Sequence, residues 1–179
     1  MDNKIAVIYK TKYGATKRYA GWIALKLGAD LYEVSDIRSK DLKEYDTIIY
    51  GGALYIGKIK GIKFIIDNYD SLKNKNVFIF MVGLKEADEF YVDSIVEQNI
   101  PKEVVENIKT FYFRGKMDYK ELNIKDKILM KGLQSSISKK SDEEISKDER
   151  IILNIQQSPV DYIDKKAIEN LISVVYGNN

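Results

Sequence analysis

Four continuous apolar runs constrain the fold more than anything else in the chain. They are Ile5-Ala6-Val7-Ile8-Tyr9, Thr47-Ile48-Ile49-Tyr50, Val77-Phe78-Ile79-Phe80-Met81-Val82 and Thr110-Phe111-Tyr112-Phe113. A strand that is apolar at every position needs cover on both faces, which is the condition of a parallel sheet packed between helices. Helical patterns lie between the runs: Ala20, Ile23, Ala24 and Leu27 before Gly28; then Ile62, Ile65, Ile66 and Tyr69; then Val92, Ile95 and Val96. Pro101 opens a further short helix. Asp30-Leu31-Tyr32-Glu33-Val34 reads as a more polar strand suited to a sheet edge. Strand and helix therefore alternate as far as Phe113, and the alternation predicts an α/β fold with a five-stranded parallel sheet and helices on both faces.

The alternation stops there. From Arg114 to Ser158 no strand signal stands out. Ile124, Ile128, Leu129, Leu133 and Ile137 predict a helix interleaved with lysines. That helix either packs on the sheet edge or offers a contact surface to a membrane or a hydrophobic substrate. Ser138 to Arg150 is a dense charged run, either a solvated helix or a mobile loop. Asp161 is expected to cap a last helix with Ala167, Ile168, Leu171, Ile172 and Val175 buried, ended by Gly177.

Chemistry concentrates where the first strand meets the first helix, in Thr11-Lys12-Tyr13-Gly14-Ala15-Thr16. The unpaired N–H groups and positive dipole end of a helix N-terminus attract an anion, and two threonine hydroxyls can donate to a phosphate. The same residues also suit an ordinary strand–helix turn with a hydroxyl cap. Neither the Gly-x-Gly-x-x-Gly dinucleotide fingerprint nor the nucleotide-binding P-loop is present. Two more loops, Ala53-Leu54-Tyr55-Ile56-Gly57 and Gly83-Leu84-Lys85, follow the third and fourth strands. In a parallel sheet all three meet at the carboxyl edge, where ligands bind.

The chain has no Cys and no His, and its net charge is +2. Thiol nucleophiles, disulfides and zinc or iron–sulfur sites built on those ligands are excluded, as is the commonest neutral-pH general base. An enzyme of this composition relies on carboxylates, Tyr, Lys or a cofactor. The charge gives no argument for nucleic acid. No leader-like segment and no apolar run of membrane-spanning length is seen, so a cytoplasmic protein is expected, with peripheral membrane contact through about 115–137 left open.

These residues resemble the flavodoxin-like proteins, and within them the flavodoxin-type protoporphyrinogen oxidases. The likeness lies in Ile8 to Thr16, in Tyr45-Asp46-Thr47-Ile48-Ile49-Tyr50-Gly51, in Tyr55 to Gly57, and in Gly115-Lys116-Met117-Asp118-Tyr119-Lys120-Glu121-Leu122 running into Ile128-Leu129-Met130-Lys131. The resemblance implies strand order 2-1-3-4-5, an extra helical segment after strand five, and noncovalent FMN. It puts the flavin phosphate on Thr11, Lys12, Tyr13, Gly14, Ala15 and Thr16, and the ring near Ala53, Leu54, Tyr55, Ile56, Gly57, Gly83, Leu84 and Lys85. It implies Tyr55 as a stacking partner and a Gly57 peptide free to rotate beside the ring. Lys12 and Lys58 read as solvated cations. Three functions follow as alternatives: oxidation of a porphyrinogen with electrons passed to a quinone or other acceptor, electron carriage between protein partners, or a binding module without redox work. No residue is assigned as a catalytic acid or base.

Overall fold

The computed structural model describes residues 3–177. The elements in chain order are β1 (Ile5–Lys10), α1 (Ala15–Leu27), β2 (Asp30–Glu33), β3 (Thr47–Tyr55), β4 (Lys58–Ile59), α2 (Lys63–Asp67), α3 (Tyr69–Leu72), β5 (Asn76–Gly83), α4 (Glu89–Asn99), α5 (Lys102–Val105), β6 (Ile108–Arg114), β7 (Lys116–Met117), α6 (Ile124–Ile137), α7 (Lys147–Asn154), β8 (Val160–Asp161) and α8 (Glu169–Gly177). The long strands run parallel in the order β2-β1-β3-β5-β6. Counting the predicted strands alone, this is the expected 2-1-3-4-5, and β2 takes the edge its charges foretold.

The sheet divides two apolar cores, as strands buried on both faces require. Ile8, Ile48, Tyr50, Ile79 and Met81 face α2 to α5, whereas Val7, Ile49, Phe78, Phe80 and Phe113 face α1 and α8. Alternate residues of one strand thus serve opposite cores, following the strand's two-residue period.

Three details depart from the sequence reading. The helix expected around Ile62 to Tyr69 breaks at Asn68, whose side-chain amide donates to Phe64 O at 2.7 Å and ends α2. The region after Arg114 does hold a strand, β7, paired antiparallel with β8 through Lys116↔Asp161 and Met117↔Val160. Asp161 therefore lies in a strand, and the cap before α8 is Asp164, which accepts from Lys166 N at 2.9 Å. The charged run, left open between helix and loop, leads into a helix, α7, started by a reciprocal pairing of Ser146 with Glu149.

Between β7 and β8 the chain makes its excursion through α6 and α7. These helices do not cover a sheet face. Leu122, Met130 and Ile155 form a small third core at the carboxyl end of the sheet, with Tyr13, Ile151 and Ile152 against it. The segment is a roof over the loops that end β1, β3 and β5.

Candidate functional site

The first loop places a helix N-terminus without a side-chain cap at the sheet edge. Gly14 stands at φ +88°, a left-handed conformation that glycine adopts without strain, and no side chain caps α1 there. Its N–H donates to Thr11 Oγ1 at 3.0 Å. Thr16 is 1% exposed, and its Oγ1 has no hydrogen-bond partner. A buried hydroxyl without a partner is costly, on the order of 1–3 kcal/mol. Its position at an uncapped helix start is what an anionic group with acceptor oxygens would satisfy.

The second loop is a tight hairpin. Tyr55 pairs with Lys58 across Ile56 and Gly57, both at positive φ (51° and 70°). That is the geometry of a type I′ turn, which suits glycine and strains a β-branched residue such as Ile56. The Gly57 carbonyl accepts from Asn99 Nδ2 at 2.8 Å, and Asn99 Oδ1 accepts from Ile59 N at 3.0 Å. Asn99, at the end of α4, therefore holds the peptide that was expected to turn freely, and rotation there must break its bond. In the third loop, Tyr112 OH donates to Lys85 O and Arg114 Nε to Leu84 O, so β6 fixes its backbone.

Every candidate residue of the three loops except Gly14 lines one cavity of about 420 Å³; Gly14 caps α1 at its margin. The cavity's roof is apolar, made by Leu129, Met130, Leu133 and Ile137 of α6 with Ile151 and Ile152 of α7. Tyr91 of α4 also lines it, with Lys85 Nζ 4.3 Å from its ring centre, so an aromatic side chain reaches the cavity from the helix that follows the third loop. Phe90, equally near in sequence, is turned to solvent.

The residue that sequence reasoning missed is Asp126. It is buried on the first turn of α6, where its N–H donates to the Asn123 cap. Lys12 Nζ donates to its Oδ1 at 2.8 Å and lies 2.7 Å from Oδ2. Tyr55 OH donates to Oδ1 at 2.6 Å, and Tyr13 OH donates to Oδ2. Burial alone would push this carboxyl up, but the bonds from Lys12, Tyr13 and Tyr55 outweigh it and hold the group down at about 2. Lys12, for its part, is pushed down by burial and more strongly up by Asp126 and Tyr55. Lys12 is therefore not the solvated cation expected; Lys58, reaching only the Gln98 carbonyl at the surface, is. The charged run is not wholly solvated either, since Asp148 and Glu149 line the cavity and Asp148 accepts from Glu86 N at 3.4 Å. Nothing local singled out Asp126: it is one acidic residue among lysines, 71 to 114 residues from its partners.

A parallel α/β sheet with three loops gathered at a switch point, a phosphate-ready helix start and an adjoining apolar cavity defines a ligand-binding protein of the doubly wound class. The model of the flavodoxin domain family matches residues 6–144, and the chain belongs to that family. FMN is supported as its cofactor by that membership, and the unpartnered Thr16 hydroxyl fits a flavin phosphate. Among curated proteins it is similar to an uncharacterised protein of Methanocaldococcus jannaschii, 32% identical over 78 residues, which are 43% of this chain and 52% of that protein. The match spans about half the length of that relative. Among solved structures it is similar to oxidised Flavodoxin 2 from Bacillus cereus (23% identity, 62% of this chain and 84% of that one, TM-score 0.44). It is also similar to the Trp repressor binding protein from Bacillus subtilis (16% identity, 63% and 85%, TM-score 0.47). Among the described residues no helix is long and apolar enough to cross a membrane, and no cluster of His, Cys, Asp or Glu could hold a metal ion.

Proposed function

We propose that this protein is an FMN-dependent oxidoreductase whose flavin lies under the α6–α7 roof. The observation that carries the reading is Thr16 Oγ1, buried without a partner at the uncapped start of α1, where the cavity opens. Thr11, Gly14 and Thr16 with the first N–H groups of α1 would hold the phosphate. Tyr55, Gly57 and Leu84 would border the ring. Bound there, FMN would supply the redox chemistry, a two-electron, two-proton oxidation of an organic substrate with delivery to an acceptor. The protein's own part is to bind, to orient and to exclude water. Leu129, Met130 and Leu133 supply an apolar wall, and Lys12 supplies a cation near the ring whose charge Asp126 balances.

That wall favours a small apolar substrate over a large protein. The likeness of Gly115 to Leu122 to the protoporphyrinogen oxidases makes a porphyrinogen the first substrate to test, with a quinone as acceptor. The outer face of α6 exposes Ile124 and Ile128 beside Lys125 and Lys131, which suits peripheral contact with an anionic bilayer. The second reading, an electron carrier, rests on Leu129 and Leu133, which are partly exposed as well as facing the cavity and offer an apolar rim to a protein partner.

The test is anaerobic turnover of the FMN-loaded protein with a porphyrinogen and several acceptors, with and without anionic vesicles. Porphyrinogen oxidation supports the enzyme. Reduction by a protein donor with no porphyrinogen turnover supports the carrier. A protein that takes up no flavin overturns both and leaves a non-redox binding module.

A further inference from the structure

We propose that Asp126 is a positioning residue: it latches the α6–α7 roof onto the first two loops and, by the same bonds, sets Lys12 and Tyr55 in place. The inference rests on the flavin reading above only for what the latch encloses.

Three observations carry it. First, the roof has its own small core, separate from the two cores of the sheet, and Tyr13 is the member of that cluster drawn from the loops. The apolar contact between roof and floor is thin, so polar ties matter more than usual. Second, those ties converge on one carboxylate. Lys12 and Tyr13 of the first loop and Tyr55 of the second all donate to Asp126, and Asn123 N donates to Tyr13 OH at 3.4 Å. A second, weaker tie joins Glu86 N to Asp148 at the other end of the roof. Third, the bonds leave those side chains little choice of position. The Tyr55 ring has the Lys12 ammonium over it, and the hydroxyl of that ring and the ammonium share one carboxylate oxygen.

The consequence is a coupling between access and geometry. The roof covers the cavity only in part, and where it lifts to pass a flavin or substrate the latch is what gives way. Opening takes Asp126 away from three donors, which frees Tyr55 and leaves Lys12 unpaired. Closing restores both, so the loops reach their final positions only when the roof is shut. Asp126 touches no reacting atom in this scheme. It acts through Lys12 and Tyr55.

Hydrogen exchange of the apo protein tests the latch directly, and Asp126→Asn is the first variant. It keeps the size and an acceptor but removes the charge. Amides of α6 should exchange at least about tenfold faster, the scale of one lost charge-assisted bond, while those of β5 stay unchanged. With FMN bound, the variant should release it faster, and the flavin's midpoint potential should rise because Lys12 is no longer balanced. Asp126→Glu, which keeps the carboxylate, should recover part of each change. If Asp126→Asn speeds exchange uniformly in β5 and α6, the residue is a general support, and Tyr13→Phe and Tyr55→Phe decide. Tyr55→Phe removes one bond and Tyr13→Phe two, the one to Asp126 and the one from Asn123 N, and each should loosen α6 alone. Unchanged α6 exchange in both, or an unchanged potential and release rate in Asp126→Asn, overturns the proposal. A wild-type protein that binds no FMN would sink the flavin reading, while the exchange arm would still support or overturn the latch.

Discussion

The ammonium of Lys12 stands 3.3 Å from the centre of the Tyr55 ring, so one face of that ring already meets a cation. A flavin stacked on Tyr55 must therefore use the other face, with Lys12 behind it. Tyr55→Ala removes the stacking surface and one donor to Asp126 together. FMN should bind about tenfold more weakly, the scale of one aromatic contact, with a changed absorption spectrum. A flavin titration followed by fluorescence quenching checks this.

Thr16→Val separates cofactor binding from stability. The hydroxyl has no partner in the protein, so its loss should leave apo stability unchanged or raise it by up to about 1 kcal/mol. FMN affinity should fall roughly ten- to a hundredfold, whereas riboflavin, which lacks the phosphate, should bind both forms alike. Thermal melts of the apo protein and paired titrations measure the two effects. Equal loss for both flavins would place the phosphate elsewhere.

The hairpin after β3 stores strain at Ile56, a β-branched residue at φ 51°. Ile56→Asn should stabilise the protein by about 1 kcal/mol, because asparagine tolerates the left-handed region. Asn99→Ala should do the reverse. It frees the Gly57 carbonyl and should shift the potential of bound FMN more than its affinity. Urea unfolding and a redox titration distinguish the two variants.

Acid should loosen the molecule through Asp126. Its carboxyl is held at about 2 against an ordinary value of 3.8, so the unfolded chain takes up the proton first as pH falls. The stability it contributes is complete above about pH 4 and is lost progressively toward pH 2. A shift of this size corresponds to about 2 kcal/mol. Asp41, Glu144 and Glu149 are also held low, by Arg38, by Ser141 and by Lys140. The comparison that isolates Asp126 is therefore wild type against Asp126→Asn, by urea unfolding at pH 7 and pH 2.5. The variant should show the smaller loss, and equal losses would refute the assignment.

The sheet was legible because its strands are buried on both faces: Val77 to Val82 can be little else than a central strand. The three loops followed from the strands, since parallel strands deliver their carboxyl ends to one edge. What was not legible depends on contacts between distant segments. Asp126 has no local pattern that marks it, and its meaning appears only beside Lys12, Tyr13 and Tyr55. The two-residue strands β7 and β8 are too short for any periodicity, and they form because the chain brings them together. Asp161 was read as the helix cap for the same reason: nothing local sets it apart from Asp164 until the pairing with Lys116 is seen.

Where the chain departs for α6 and where it comes back are side by side. Lys116 and Met117 pair with Asp161 and Val160, and the Tyr19 hydroxyl donates to Arg114 O at 2.8 Å while accepting from Asp164 N at 3.0 Å. Residues 118–159 are in that sense a cassette, plugged into a junction that is complete without them. A two-residue turn from Met117 to Val160 would close the same junction at little cost in loop entropy. The sheet beneath can thus stay as it is while one cassette is exchanged for another, and only the loop residues that the cassette touches, Lys12, Tyr13 and Tyr55 among them, feel the exchange.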